Sequence, residues 1–311
     1  MHGWRMVGAW LAHDWRMAPS VADRSRVTIL QAIILGLVEG VTEYLPVSST
    51  GHLILTAWLL GLSEDAAKKA ALDSFNIVIQ GGAILAVLGL YRVRVAAMVK
   101  GLSGANHAGL MLFLKLIVAF LPAAVLGLMF NKAIKERLFL PIPVLMALGG
   151  GGVLLLVLSP WIRTLVGRER DEKDDFSMLS FQHALAIGFM QALAMWPGTS
   201  RSMVTILGGM LFGLSPRRAA EFSFLLGLPT LSAACAYEIF KQRHDLGVRI
   251  DELGGPAPIV IGLAVAAISA AFAVKWLVGY LSRGGFAVFG WWRVAVAMAL
   301  GAVILSGNMT L

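Results

Sequence analysis

Glu39-Gly-Val-Thr-Glu43-Tyr-Leu-Pro46-Val-Ser48-Ser49-Thr50-Gly51-His52 sits inside an apolar segment that runs from Val27 to Leu62. The segment is long enough to cross a bilayer, yet two carboxylates, a proline and a glycine interrupt it. A second segment, Ser180–Leu214, has the same form and is broken by Trp196-Pro197-Gly198-Thr199-Ser200-Arg201-Ser202. Ionisable groups at bilayer depth are costly and mark function by default. Apolar segments broken at matching places in two halves predict half-helices that enter the membrane and turn back.

Working outward, composition sets the class. The chain has 311 residues, 58% hydrophobic and 14% charged, and its mean hydropathy is +0.78. A soluble domain carries about 25% charged residues, so this is an integral membrane protein. Apolar spans at Phe75–Tyr91, Leu110–Phe130, Pro141–Trp161, Ala219–Phe240, Ala257–Leu281 and Ala287–Gly307 predict crossings. The fold class is therefore all-α and polytopic, with six transmembrane helices plus two re-entrant helix hairpins. One membrane domain is expected over 26–311, after an N-terminal extension at 1–25 with no apolar run suited to a signal peptide. Met17 is an alternative start.

The halves, about 27–160 and 177–308, also resemble each other. Gln31-Ala-Ile-Ile-Leu-Gly36 parallels His183-Ala-Leu-Ala-Ile-Gly188, which sets Glu39 opposite Gln191. With one residue of slippage, Pro46 pairs with Pro197 and Ser49 with Ser200. Three crossings follow each broken segment, so the second copy is inverted and the two polar turns meet near the midplane.

The net charge of +8 is not a nucleic-acid patch, because the basic residues sit in short loops between apolar runs. They set topology and attract anionic lipid headgroups. Arg92, Arg94, Lys100, Arg163, Arg168, Arg170, Lys173, Arg217, Arg218 and Arg283 form the richer set and are assigned to the cytoplasm. Lys68, Lys69, Lys132, Lys135, Arg137, Lys241, Arg243 and Arg249 lie opposite, so the first turn opens outward. Cys235 is read as packing. The Asp171–Asp175 run is a solvated loop, and Glu221 is expected to pair with Arg217 or Arg218.

The residue types in the turns suit phosphate chemistry. Glu39 and Glu43 are one helical turn apart and share a face. Two carboxylates in one cavity need a proton or a cation, and oxygen ligands favour Mg2+ or Ca2+. Ser48, Ser49 and Thr50 follow the proline turn, with Gly51 permitting an unusual backbone angle. Their hydroxyls, with the N–H groups opening a half-helix, form an anion site; capping of the half-helix is expected of one of them. His52 is placed to deprotonate a serine or a water. In the second turn Gly198, Thr199, Ser200, Ser202 and Thr205 are expected to cradle phosphate around the Arg201 fork. The competing reading makes Arg201 a structural partner of Glu39 or Glu43. Gln80, Asn76 and Gln191 are candidates for the same cavity.

These two turns, with Phe75-Asn-Ile-Val-Ile-Gln-Gly-Gly-Ala and Ala220-Glu-Phe-Ser-Phe-Leu-Leu-Gly-Leu-Pro-Thr230, resemble the undecaprenyl-pyrophosphate phosphatase (bacitracin-resistance) family. The resemblance covers roughly 27–308. It implies hydrolysis of a polyprenyl pyrophosphate lipid to recycle the carrier for cell-wall synthesis, a divalent cation, the bacterial inner membrane and a site open to the periplasm. It implies Ser49 as nucleophile, His52 as general base, Glu39 and Glu43 as the acidic motif, and Arg201 as the phosphate-binding arginine. Asn76 departs from it, standing where a carboxylate is expected. A lipid-phosphate flippase is the rival, since inverted repeats also serve alternating access. Glycine-rich helix faces allow a homodimer.

Overall fold

A computed structural model describes residues 26–62, 66–165, 176–241, 253–281, 283 and 285–306, without the side chains of 66–71 and 135. The N-terminal extension, the Asp171–Asp175 run, His244 and the basic side chains at 68, 69, 135, 168, 170, 173, 243 and 249 lie outside the described residues.

Among the described residues the chain is helical throughout, with no strand. The first broken segment is a hairpin of α1 (Ile29–Glu43) and α2 (Ser49–Leu59). Thr28 starts α1 with a capping box, its hydroxyl accepting from the Gln31 N–H while Gln31 reaches back to the Thr28 N–H. At 15 and 11 residues, these arms are too short to cross a hydrocarbon core of about 30 Å. They turn back instead, and Gln31 Nε2 donates to the Leu60 carbonyl at the far end of the hairpin. The second hairpin, α7 (Phe181–Ala192) and α8 (Arg201–Leu211), joined by a 3-10 turn at Leu193–Met195, closes in the same way. Its His183 ring stacks on Phe212 with centroids 4.8 Å apart.

Around the hairpins stand six helices long and apolar enough to cross a membrane. In our numbering they are α3 (Ala66–Leu90), α5 (His107–Leu138), α6 (Pro141–Leu165), α9 (Pro216–Lys241), α10 (Pro256–Leu281) and α11 (Ala287–Leu305). All six expected crossings are present; α3, α5, α6 and α9 run on into flanking residues, α10 keeps the expected bounds to within a residue, and α11 ends at Leu305. One element was not anticipated. Arg92, Arg94 and Lys100 lie on a short helix, α4 (Arg92–Leu102), rather than in a loop. Arg163, Arg217 and Arg218 likewise belong to helix ends.

The packing has the symmetry of an inverted repeat. Helix α1 lies along α10, and its counterpart α7 lies along α5. Glycine permits both close approaches. A Cβ on Gly36 would stand 2.5 Å from the Gly262 carbonyl oxygen, and one on Gly188 would stand 2.5 Å from that of Ala119. The four half-helix starts are also in step: the N-caps Thr28 and Ser48 are spaced as are Ser180 and Ser200. The repeats therefore run without slippage, and the expected pairing of Ser49 with Ser200 is corrected to Ser48 with Ser200 and Ser49 with Arg201. The prolines are what misled: Pro46 lies two residues before its cap and Pro197 three before its own.

Charge sorts to the ends. At one end Glu221 binds Arg218 and also Arg94 of α4, as half expected from sequence. Lys115 there donates to the Phe176 carbonyl. At the other end the Lys132–Glu136 pair is exposed at 3.9 Å and stabilises little.

Gly36→Val should destabilise the protein by about 1–3 kcal/mol through overpacking against α10. Gly150→Val, whose added atoms meet open space, should leave the thermal midpoint in detergent unchanged.

Candidate active site

The two turns meet inside the bundle, where both half-helices α2 and α8 begin. Their meeting point is a cavity of about 150 Å³. The first turn contributes Glu43, Ser48, Ser49 and Thr50 to its wall. The second contributes Gly198, Ser200 and Arg201, and Gln80 reaches in from α3. Two helix N-termini thus face one small polar space, the arrangement that favours an anion.

Backbone strain marks both starts. Ser48 (φ 72°) and Ser200 (φ 75°) are the non-glycine residues with positive φ among the described residues, at a cost of about 1–3 kcal/mol each. The unusual angle expected at Gly51 is therefore one turn earlier, at Ser48; Gly51 lies within α2 against Leu148. Capping is also unequal. Ser200 Oγ accepts from the Met203 N–H, whereas Ser48 makes no side-chain cap. Against expectation, none of the three hydroxyls at the start of α2 is shown capping it. Its first N–H groups stay available to a ligand.

One hydrogen-bonded chain crosses the cavity between repeats. Ser49 Oγ donates to Glu43 Oε2 at 2.7 Å, and Arg201 Nη2 donates to Glu43 Oε1 at 2.9 Å. The competing structural reading of Arg201 is realised as this ion pair, both side chains at most 10% exposed. The pair does not exhaust the arginine. Nη1 donates to the Ser223 carbonyl, while the buried Nε has no partner among the described residues. Tyr44 supports the guanidinium from below, its ring centroid 5.5 Å away and its hydroxyl anchored on the Ala83 carbonyl. Gly227 makes room, since a Cβ there would strike Nη1.

Other candidates serve the frame. Ser202 Oγ donates to the Leu45 carbonyl and meets Ser200 Oγ, tying the second turn to the first. Thr205 bonds the Arg201 carbonyl and the Ser223 hydroxyl. Thr199 does not line the cavity. Nor does His52: its Nδ1 is 2.8 Å from the Ser48 carbonyl, and its Nε2 accepts from Trp292 Nε1 at 2.7 Å. With the indole donating to Nε2, the proton is on Nδ1, and neither nitrogen faces Ser49. Glu39 is 1% exposed, behind Glu43, with Oε1 unpartnered among the described residues. Asn76 and Gln191 are outside the cavity wall, each with an unpaired buried polar atom. Cys235 is half-buried against Ile77 and Gln80.

The donor set fits a hard cation. No group of three or more His, Cys, Asp or Glu gathers among the described residues, but the cavity offers the Glu43 carboxylate, hydroxyls and the Gln80 amide. Magnesium is commonly held by one or two carboxylates plus the oxygens of a bound phosphate. The sequence reading missed Tyr44, Trp292 and Arg293. The last had a signal, an arginine alone in the apolar run Gly290-Trp-Trp-Arg293-Val-Ala-Val.

The chain is similar to known proteins over most of its length. A family model described as bacitracin resistance protein BacA matches residues 32–299. An undecaprenyl-diphosphatase of Sorangium cellulosum is 47% identical over 88% of this chain and 84% of its own length. Undecaprenyl-diphosphatase 2 of Rhodospirillum rubrum is 44% identical over 90% and 97%. The undecaprenyl-diphosphatase of Nitrosomonas europaea is 44% identical over 90% and 96%.

Arg201→Met should cost about 3–5 kcal/mol, because it leaves Glu43 buried without its cation. Combining it with Glu43→Gln should recover part of that loss, a coupling read from thermal midpoints in a double-mutant cycle.

Proposed function

The chain belongs to the BacA family, and from that premise we propose that it is an undecaprenyl-diphosphatase. It hydrolyses undecaprenyl pyrophosphate to undecaprenyl phosphate and inorganic phosphate, recycling the carrier for the cell wall. That reaction confers resistance to bacitracin. The relatives are named for hydrolysis, and the flippase reading has no such support. The observation that carries the chemistry is the Ser49–Glu43–Arg201 chain across one cavity.

The terminal phosphoryl group sits among the N–H groups opening α2 and α8, with the Arg201 guanidinium and the hydroxyls of Ser48 and Thr50 around it. Ser49 Oγ attacks the terminal phosphorus while its proton passes to Glu43 Oε2, the oxygen that already accepts its hydrogen bond. The bond from phosphorus to the bridging oxygen breaks, and undecaprenyl phosphate departs. Water then attacks the phosphoserine and releases phosphate. Arg201 holds Glu43 in place and balances the charge gathering on the phosphoryl oxygens. When bound, a divalent cation (Mg2+ or Ca2+) held by Glu43, with Glu39 behind it, supplies further neutralisation of the pyrophosphate.

The protein is a multi-pass membrane protein. The richer basic set supports the cytoplasm at the α4 end, which opens the first turn to the periplasm of a bacterial inner membrane. An exposed glycine with open space beside it, Gly89, supports close association of two copies.

Purified protein should release phosphate from the C55 pyrophosphate lipid, with activity lost to a chelator and restored by magnesium or calcium. Ser49→Ala should lower turnover at least about a thousandfold. Retention of wild-type turnover by that variant would remove Ser49 as nucleophile.

A further inference from the structure

Arg293 is 0% exposed in the middle of α11. Every hydrogen bond of its guanidinium among the described residues runs to a backbone carbonyl. Nε donates to Leu148 at 3.2 Å and Nη2 to Ala147 at 3.0 Å, both on α6. Nη2 also donates to Gly198 at 2.7 Å, and Nη1 to Pro46 at 3.4 Å. Pro46 and Gly198 are equivalent positions of the two repeats, each two residues before a strained serine cap. One side chain therefore grips the same carbonyl of both turns. Its neighbour Trp292 reaches the first turn by another route. It donates to His52 Nε2, and His52 Nδ1–H donates to the Ser48 carbonyl.

We infer that Trp292 and Arg293 are positioning residues that fix both catalytic turns, Arg293 directly and Trp292 through His52. In this arrangement His52 holds backbone rather than taking the proton of Ser49. The inference rests on the hydrolytic reading above and adds to it what keeps Ser48 and Ser200 at positive φ. Carbonyls freed by a broken helix inside a bilayer have no water to turn to. The fork of Arg293 supplies several donors from one rigid group, which no lysine can reproduce. Loosening the brace moves Ser49 against the phosphate held by Arg201, which weakens the transition state more than ground-state binding.

The test measures kcat and KM on the C55 pyrophosphate lipid for the full chain in detergent. Folded protein is quantified by gel filtration and thermal midpoint. Arg293→Lys is expected to lower kcat about a hundredfold, as an ångström of misplacement does, with KM within about threefold. Trp292→Phe, which keeps the ring and loses the N–H, is expected to lower kcat about tenfold. His52→Gln retains an amide N–H for Ser48 and a carbonyl for Trp292. It is expected to stay within about tenfold of wild type with an unchanged pH profile. Folded Arg293→Lys or Trp292→Phe with wild-type kcat overturns the brace. So does a His52→Gln as inactive as Ser49→Ala. Should Arg293→Lys not fold, the other two variants decide. Wild-type protein that releases no phosphate tells against the activity instead. The brace is then read from the rise in thermal midpoint given by inorganic pyrophosphate, which Trp292→Phe should diminish; an undiminished rise overturns it.

Discussion

A helix broken inside a bilayer leaves backbone groups that lipid cannot satisfy, and the rest of this structure answers that constraint. Each hairpin ends its first arm and starts its second in the bundle interior. The loose groups are collected by side chains: Ser202 on Leu45, His52 on Ser48, and Arg293 on Pro46 and Gly198 together. Of the four half-helix starts, only that of α2 is without a side-chain cap, and its first residues line the cavity.

The repeats share a frame and divide the chemistry. With the caps in step, Glu39 stands opposite Gln191, Ser49 opposite Arg201 and His52 opposite Val204. The two carboxylates, the Ser49 hydroxyl and the His52 imidazole come from one copy, and the Arg201 guanidinium from the other. Neither hairpin alone holds the Ser49–Glu43–Arg201 chain. The Glu43–Arg201 pair makes their union obligatory, because each charge is buried and tolerable only beside the other.

Most of this was legible in the residues. Periodicity and length located the six crossings, and charges with proline and glycine inside apolar runs located both hairpins. What escaped the sequence were relations that depend on distance in space. The register slipped by one residue because Pro46 and Pro197 invite alignment although they sit differently before their caps. Spacing set His52 beside Ser49, but its ring bonds the Ser48 carbonyl and Trp292 of α11 instead. Arg293 stood in view as a lone charge in an apolar run, yet nothing local says that its partners would be carbonyls from three distant segments. Helix α4 was hidden because its basic residues read equally well as loop.

The grip of Arg293 has a consequence for how the protein is made. Its four acceptors all precede it in the chain, on the two hairpins and α6. A nascent chain that has reached α10 has the walls of the cavity and no brace. When α11 enters the bilayer it brings a charge that costs about 2.5–3.5 kcal/mol to insert at the centre of an isolated helix, and that cost falls only as the carbonyls come within reach. The hydrogen bonds that join the two turns through Arg293 are thus complete only once α11 has docked on α6. A chain cut short before α11 would hold both turns without the one side chain that bonds the carbonyls of each.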